Sequence, residues 1–279
     1  MRVPGRKVYG GLASGPVAKS TVPLSFLGEI DARTGKVDNA SSELNGRLLG
    51  GTVLAFPEAR GSTVGPYVLY GACKRGVGPV AIVVESADAI VVSAAVIARI
   101  PCVDHVDLDL LHDGEMLTVE GDAGSVELPG VKEEAVVTSF LQRPDGRVLL
   151  LKRSRKVGTF QERWAGVSGY LEGRDPEEQA RREILEETGI TRDGLEKVSE
   201  GGPVYAREGE RIFVVHPFLF RTRSEQVRID WEHTEFEWIE PEEMRRRNTV
   251  PKLWRAWEEV RSAASPEAAR RPPTAPAHG

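Results

Sequence analysis

The sequence predicts two α/β-type domains in tandem, of the α/β and α+β classes, followed by a short unstructured tail. Three observations predict this. At 279 residues the chain is long for one compact core and comfortable for two. Its composition changes near residue 130: small apolar residues and Gly dominate before it, while Arg and Glu crowd the sequence after it. All five tryptophans (Trp164, Trp231, Trp238, Trp254 and Trp257) lie in the second half, so the two halves build different cores. The segment 122–134 holds a Pro-Gly pair and several charges, which suits a boundary. The expected division is residues 1–130, 131–263 and a disordered, Pro- and Ala-rich tail at 264–279.

The first half reads as mixed β with a few helices, the second as strands and helices. In the first, Thr52–Phe56 and Val80–Glu85 are short apolar runs bounded by Gly and Pro, as buried strands are. Between them there is room for one helix, over Pro66–Arg75, opening after Gly61-Ser62-Thr63. Met116–Glu120 and Ser125–Leu128 flank Gly121-Asp122-Ala123-Gly124, a hairpin signal. The second half opens with strands at Ala135–Phe140 and Val148–Lys152 around Pro144-Asp145-Gly146. A helix at Pro176–Thr188, strands at Ile212–Arg221 and Phe236–Ile239, and a helix at Val250–Arg261 follow.

Composition narrows the function classes. With 40% apolar and 28% charged residues the chain reads as soluble and globular. A formal charge of −5 provides no basic field, which argues against nucleic acid as a partner. The longest apolar stretch, Ala87–Ile100, is interrupted by Asp88 and Ser93 and is too short to span a bilayer. The N-terminus lacks the apolar core of a signal peptide, so a cytoplasmic location is expected, with no membrane partner. Cys73 and Cys102, the only cysteines, form no C-x-x-C pair and are expected to be reduced, packed thiols.

The segment Gly169–Ile190, GYLEGRDPEEQARREILEETGI, concentrates the chemistry. Asp175 before Pro176 is a helix start, and Gly189 after Thr188 is a stop. At about 100° per residue, Glu186 falls near −60° and Glu187 near +40° from Glu183, so three carboxylates share one face. Crowded carboxylates raise one another's pKa unless a cation sits among them. Hard oxygen ligands suit Mg²⁺ or Mn²⁺, which can clamp a diphosphate and activate water. Arg182, four residues before Glu186, is placed to brace it. A merely solvated, Glu-rich helix has the same spacing.

The surrounding pattern separates the two readings. Gly169, Arg182-Glu183-Ile184, Glu186-Glu187 and Gly189-Ile190 resemble the Nudix box, G-x5-E-x7-R-E-U-x-E-E-x-G-U with U aliphatic. Every specified position of the second half matches. Between Gly169 and Arg182, however, the chain has twelve residues where the pattern has thirteen. Arg174 or Asp175 stands near the place of the first Glu. The resemblance, from about Ala135 to Val260, implies an α/β/α sandwich fold and hydrolysis of a diphosphate linkage. It implies metal ligands at Glu183, Glu186 and Glu187, structural roles for Gly169, Arg182 and Gly189, and a catalytic acid at Glu186. An acidic residue that positions water is implied at Glu232 or Glu235. Arg153, Arg155, Lys156 and Trp164 stand before the box and could contact phosphate or a base; they read equally well as a charged strand end and a core tryptophan. The absence of Cys from this half argues against the isomerase chemistry of some family members.

In the first half, Ser25-Phe26-Leu27-Gly28-Glu29-Ile30-Asp31, Arg60-Gly61-Ser62-Thr63, Pro79–Ile82 and the closing hairpin resemble the swivel domain of the aconitase-X family. The family's archaeal members include small subunits of phosphomevalonate dehydratase. The family shows S-F-W-G-G-x-D and G-S-S where this chain has SFLGEID and GST, and a His expected near Ser41–Leu44 is missing. The resemblance implies Ser62 as the base that removes a proton, with Arg60 and Thr63 binding carboxylate or phosphate. A Gly-Ser turn capping a helix is the plainer reading. A dehydratase of this kind uses an iron–sulfur cluster held by several thiolates. Two cysteines cannot supply them, so the cluster is expected in a separate large subunit.

Together these readings predict a bifunctional chain: small subunit of a dehydratase, and Mg²⁺- or Mn²⁺-dependent hydrolase of a small phosphorylated metabolite, nucleotide-type or isoprenoid. Two alternatives stay open: a Nudix half that senses a ligand without turnover, or a swivel half that serves only as an interaction module.

Overall fold

The structure is a computed structural model describing residues 1–173, 175–224 and 226–265. The chain divides into two compact units, Met1–Lys132 and the residues from Glu133 onward. The residues 266–279 of the expected tail, and Arg174 at the short point of the box, lie outside the described residues.

The first unit is built on a mixed eight-stranded sheet. Leu12–Lys19 pairs in parallel with Val53–Phe56, which pairs in parallel with Ala81–Val84, and that strand with Cys102–Asp104. Val53–Phe56 and Ala81–Val84 are buried at every residue, as unbroken apolar runs in a parallel sheet should be. Leu12–Lys19 also pairs antiparallel with Met116–Glu120, which forms a hairpin with Ser125–Glu127. The crossovers are the helices Gly65–Lys74 and Ala89–Ala98.

The second crossover was not expected from the sequence, because Ala-Ile-Val-Val-Ser-Ala-Ala-Val-Ile-Ala is rich in β-branched residues. Two things override that propensity. The Asp88 side chain accepts from the backbone N–H groups of Ile90 and Val91 at 3.1 and 2.9 Å, capping the helix. Val91, Ala94 and Ala95 then pack into the core with Phe26, Leu54, Phe56 and Ile82. Both cysteines are free thiols, Cys102 buried in its strand and Cys73 half-buried. Burial pushes them up to about 12 and about 11.

The second unit is a sheet with a helix packed on each face. Lys132–Gln142 lies between Val148–Arg153 and Arg211–Thr222, with His233–Ile239 paired to Val148–Arg153. Alternation along Val148–Arg153 sorts the core. Val148 and Leu150 point to the cluster under the helix Leu253–Ala263, Leu149 and Leu151 to the cluster under Pro176–Thr188. On the first face Phe140 meets Trp257 edge-on, centroids 5.4 Å apart. The last helix starts at Leu253 rather than Val250, because Pro251 and the left-handed Lys252 (φ 60°) hold the preceding chain out of it. No helix among the described residues is long and apolar enough to cross a membrane.

Candidate functional site

In the second unit the helix Pro176–Thr188 begins and ends as its sequence requires. The Asp175 carboxylate accepts from the N–H groups of Glu177 and Glu178, and Gly189 closes the helix at φ 72°. Asp175, one of the two residues near the place of the box's first Glu, is therefore occupied as a cap. The acidic face lies against the strand Val167–Tyr170. A Cβ at Gly169 would overlap the Glu183 carboxyl group, so a larger residue there would displace that carboxylate.

The three helix carboxylates are not equivalent. Glu187 is 3% exposed. Its Oε1 accepts from the Ser168 N–H at 3.4 Å, and its Oε2 is buried without a hydrogen bond. Burial, then the charges of Glu183, Asp230 and Glu232, push its pKa well above the ordinary range. Glu183 is half-buried and accepts from the Gln179 amide at 2.6 Å; burial raises it too, with Glu186 and Glu232 adding to the shift. Glu186 is exposed and takes a hydrogen bond from Arg182 Nε at 2.7 Å, while Arg182 reaches Glu172 at 3.5 Å with its other arm.

A cavity of about 330 Å³ opens beside this face. Glu172, Arg182, Glu183 and Glu186 line one end, with Glu232 and Arg153 also at its wall. Burial and Asp230 push Glu232 up, against the pull of Arg153. Of the two candidates for the water-positioning acid, only Glu232 reaches the cavity. Glu235 lies outside the lining and holds Lys152 Nζ at 2.7 Å on the surface, next to the irregularity that shifts the register between Lys152 and Arg153. Trp164 does not line the cavity either. Its ring packs against the cluster under Leu253–Ala263, with the Arg247 guanidinium 5.1 Å from its centre. Arg155 is exposed and paired with Glu162. Arg153 does line the cavity, donating through Nε to the Thr159 carbonyl at 3.1 Å.

In the first unit a depression of about 400 Å³ is lined by Ser25, Glu29, Asn39, Arg60 and their neighbours. Glu29, 3% exposed, accepts from the Ser25 N–H and from Arg60 Nη2, both at 3.0 Å, and so fixes the guanidinium at the rim. Ser62 and Thr63 are exposed and outside this lining. Ser62 Oγ accepts from the Val64 N–H at 3.3 Å, and the Ser62 carbonyl accepts from Gly65 N at 2.9 Å. The serine forms the turn that leads into the helix Gly65–Lys74, whose N-cap position is Val64 with no side-chain cap.

Comparison with known proteins matches each unit separately. The family model for the aconitase X swivel domain covers residues 2–128, and that for the NUDIX domain covers residues 132–260. The phosphomevalonate dehydratase small subunit of Thermococcus onnurineus is 47% identical over 128 residues, 46% of this chain and 98% of that protein. The chain belongs to the aconitase X swivel family and carries a Nudix domain behind the swivel. The crystal structure of Thermococcus kodakaraensis aconitase X in its holo form matches with 45% identity over 46% of this chain and 97% of that one, TM-score 0.45. A MutT protein from Methanosarcina mazei matches with 25% identity over 47% of this chain and 94% of that one, TM-score 0.42.

The residues of the Nudix unit fit a hard divalent cation in donor chemistry: a buried carboxylate oxygen that takes no hydrogen bond, among carboxylates that raise one another's proton affinity. They do not stand as a closed ligand set, since no group of three or more His, Cys, Asp or Glu among the described residues is arranged to hold an ion. Arg182 draws Glu186 to one side, and Gln179 draws Glu183.

Sequence reasoning missed four members of these sites. Glu172 is too close to Gly169 to match the box, yet it lines the cavity. Phe160 and Phe213 carry no periodic signal. Glu29 stands where the swivel pattern has Gly, and its pairing with Arg60 joins segments 31 residues apart.

Proposed function

We propose that the chain is bifunctional: its swivel unit completes a dehydratase with a separate large subunit, and its Nudix unit hydrolyses a diphosphate-containing metabolite with Mg²⁺ or Mn²⁺. The observation that supports the hydrolase most is the buried Oε2 of Glu187, which takes no hydrogen bond, on the helix whose Arg182, Glu183 and Glu186 line an acid-walled cavity together with Arg153.

In this reading Glu183, Glu186 and Glu187 hold the cation. When bound, it neutralises phosphate oxygens and makes a nearby water a better nucleophile. Arg153 and Arg182 draw in and orient the phosphates. Glu232 orients the attacking water and accepts its proton, for which burial and Asp230 suit it by raising its basicity. Phosphate release that is lost on Glu187→Gln tests the reading.

For the swivel unit, Arg60, held by Glu29, binds an anionic group of the substrate, and Ser62 removes a proton once the large subunit closes over the helix N-terminus. Relatives named phosphomevalonate dehydratase small subunit make a phosphorylated branched acid the substrate to test. Two cysteines cannot hold an iron–sulfur cluster, so the cluster belongs to the large subunit. Assayed with that subunit, Ser62→Ala abolishes dehydration; an unchanged rate would make the unit an interaction module.

A second reading, of a diphosphate sensor, draws on the open ligand set, with Arg182 and Gln179 holding two carboxylates apart. Tight ligand binding without turnover would favour it.

A further inference from the structure

We infer that the Nudix unit acts on a short alkyl diphosphate rather than a nucleotide. This rests on the hydrolase reading for its chemistry, but on the cavity alone for its choice of ligand.

Away from its acidic end, the cavity wall is formed by Phe160, Ala206, Phe213, Val215, Val250 and Pro251. None offers a side-chain hydrogen bond. Of the neutral polar side chains in the lining, the Tyr170 phenol is exposed to solvent and the hydroxyls of the others are engaged. Thr138 and Ser168 bond each other through their hydroxyls at 2.9 Å, Ser168 also donates to the Gly166 carbonyl at 3.1 Å, and Thr159 is bonded by Arg153. No Asn or Gln lines the cavity among the described residues.

A nucleobase brings several ring nitrogens and exocyclic groups that need partners. Each one buried without a partner weakens binding roughly five- to a hundred-fold. A methylene gains about fourfold in the same place. The two phenyl rings make no slot for a base, because they touch each other, centroids 5.7 Å apart and tilted by 59°. Phe160 is held there by a left-handed backbone (φ 48°) and by the Arg153 bond to Thr159 next to it. At about 330 Å³ the cavity is also at the small end of ligand pockets, which run from roughly 300 to 1,000 Å³. That accommodates a five-carbon chain with its diphosphate.

The reaction balances with water as the second substrate. The water oxygen bonds to the terminal phosphorus, and the bridging P–O bond breaks. Its electron pair leaves on the alkyl monophosphate, and the water proton passes to the Glu232 carboxylate. The products are an alkyl monophosphate and inorganic phosphate.

The test compares isopentenyl and dimethylallyl diphosphates with ADP, GTP and ADP-ribose on the full chain with Mg²⁺, by phosphate release and by calorimetric binding. A kcat/KM at least a hundredfold higher for the alkyl diphosphates supports the inference. Higher kcat/KM for any nucleotide overturns it and leaves the hydrolase reading intact. If nothing turns over, tighter binding of the alkyl diphosphates supports the ligand class and defeats the hydrolase reading; equal, weaker or absent binding defeats both. Ala206→Leu, which fills the apolar end, raises the KM for isopentenyl diphosphate about tenfold in a variant whose melting curve is unchanged. An unaltered KM would overturn the placement of the alkyl group on this wall.

Discussion

Glu187 Oε2 and His233 Nε2 face each other at 3.6 Å, with both side chains almost wholly buried. On its other side the His233 ring lies 2.9 Å from Asp230, and a carboxylate can only accept, so Nδ1 carries the proton. Burial lowers the His233 pKa despite Asp230, leaving Nε2 an acceptor turned toward a carboxylate oxygen. Two acceptors so placed need a proton on Glu187 or a cation beside it.

That relationship predicts how the unit responds to metal. Mg²⁺ or Mn²⁺ at a hundred times its dissociation constant stabilises the folded unit by about 2.7 kcal/mol. For a unit of this size the melting temperature rises by roughly 5–10 °C. Glu187→Gln puts a neutral amide that can donate to His233 Nε2 where the metal-free parent needs a protonated carboxyl, so the metal-free variant melts no lower than the parent and gains nothing from the cation. Differential scanning calorimetry of both chains, with and without metal, checks this.

The positions of Glu232 and Glu235 predict opposite outcomes for one chemical change. Glu232→Gln lowers kcat by about 10²–10⁴, the range for loss of a general base. Glu235→Gln removes only an exposed pairing with Lys152, so kcat stays within about twofold and stability within about 1 kcal/mol. Steady-state kinetics on the substrate that the unit turns over separates them.

Acid stability of the swivel unit is tied to Asp104. Burial by itself would raise this carboxyl, but hydrogen bonds from Arg6 and the Ala87 N–H, with the charges of His105 and Arg6, bring it below the usual range. A depressed carboxyl contributes stability that is fully present above its unfolded pKa, about 3.9, and is lost as pH falls through the folded value. Arg6→Ala removes the main partner, so the urea midpoint falls at pH 7 and its change between pH 7 and pH 3 shrinks. Urea titrations at the two pH values measure both.

Phe140 is fully buried against Trp257 in the Nudix unit. Phe140→Ala destabilises that unit by about 3–5 kcal/mol. Because every tryptophan lies in the second unit, denaturation followed by tryptophan fluorescence reports on it alone, and its transition moves to lower urea.

Much of this was legible in the chain. The helix Pro176–Thr188 was readable to the residue, because its cap, its proline, its stop and its carboxylate face are all local signals. The helix Ala89–Ala98 was not, since its residues favour strands and its stability comes from packing. The same contrast runs through the candidate sites. Glu183, Glu186 and Glu187 follow from helical spacing, whereas Glu172, Phe160 and Phe213 come together only through the fold. Trp164 and Glu235 lie outside the cavity lining for the complementary reason: their residue types suit a binding site, but Trp164 packs against the core and Glu235 pairs with Lys152.

The most direct test of the central claim is release of phosphate by the full chain with Mg²⁺ or Mn²⁺ across nucleotide and alkyl diphosphates, run beside Glu187→Gln. The account predicts metal-dependent turnover of at least one diphosphate, lost in the variant. Turnover that survives Glu187→Gln, or silence across the panel with either metal, would contradict it.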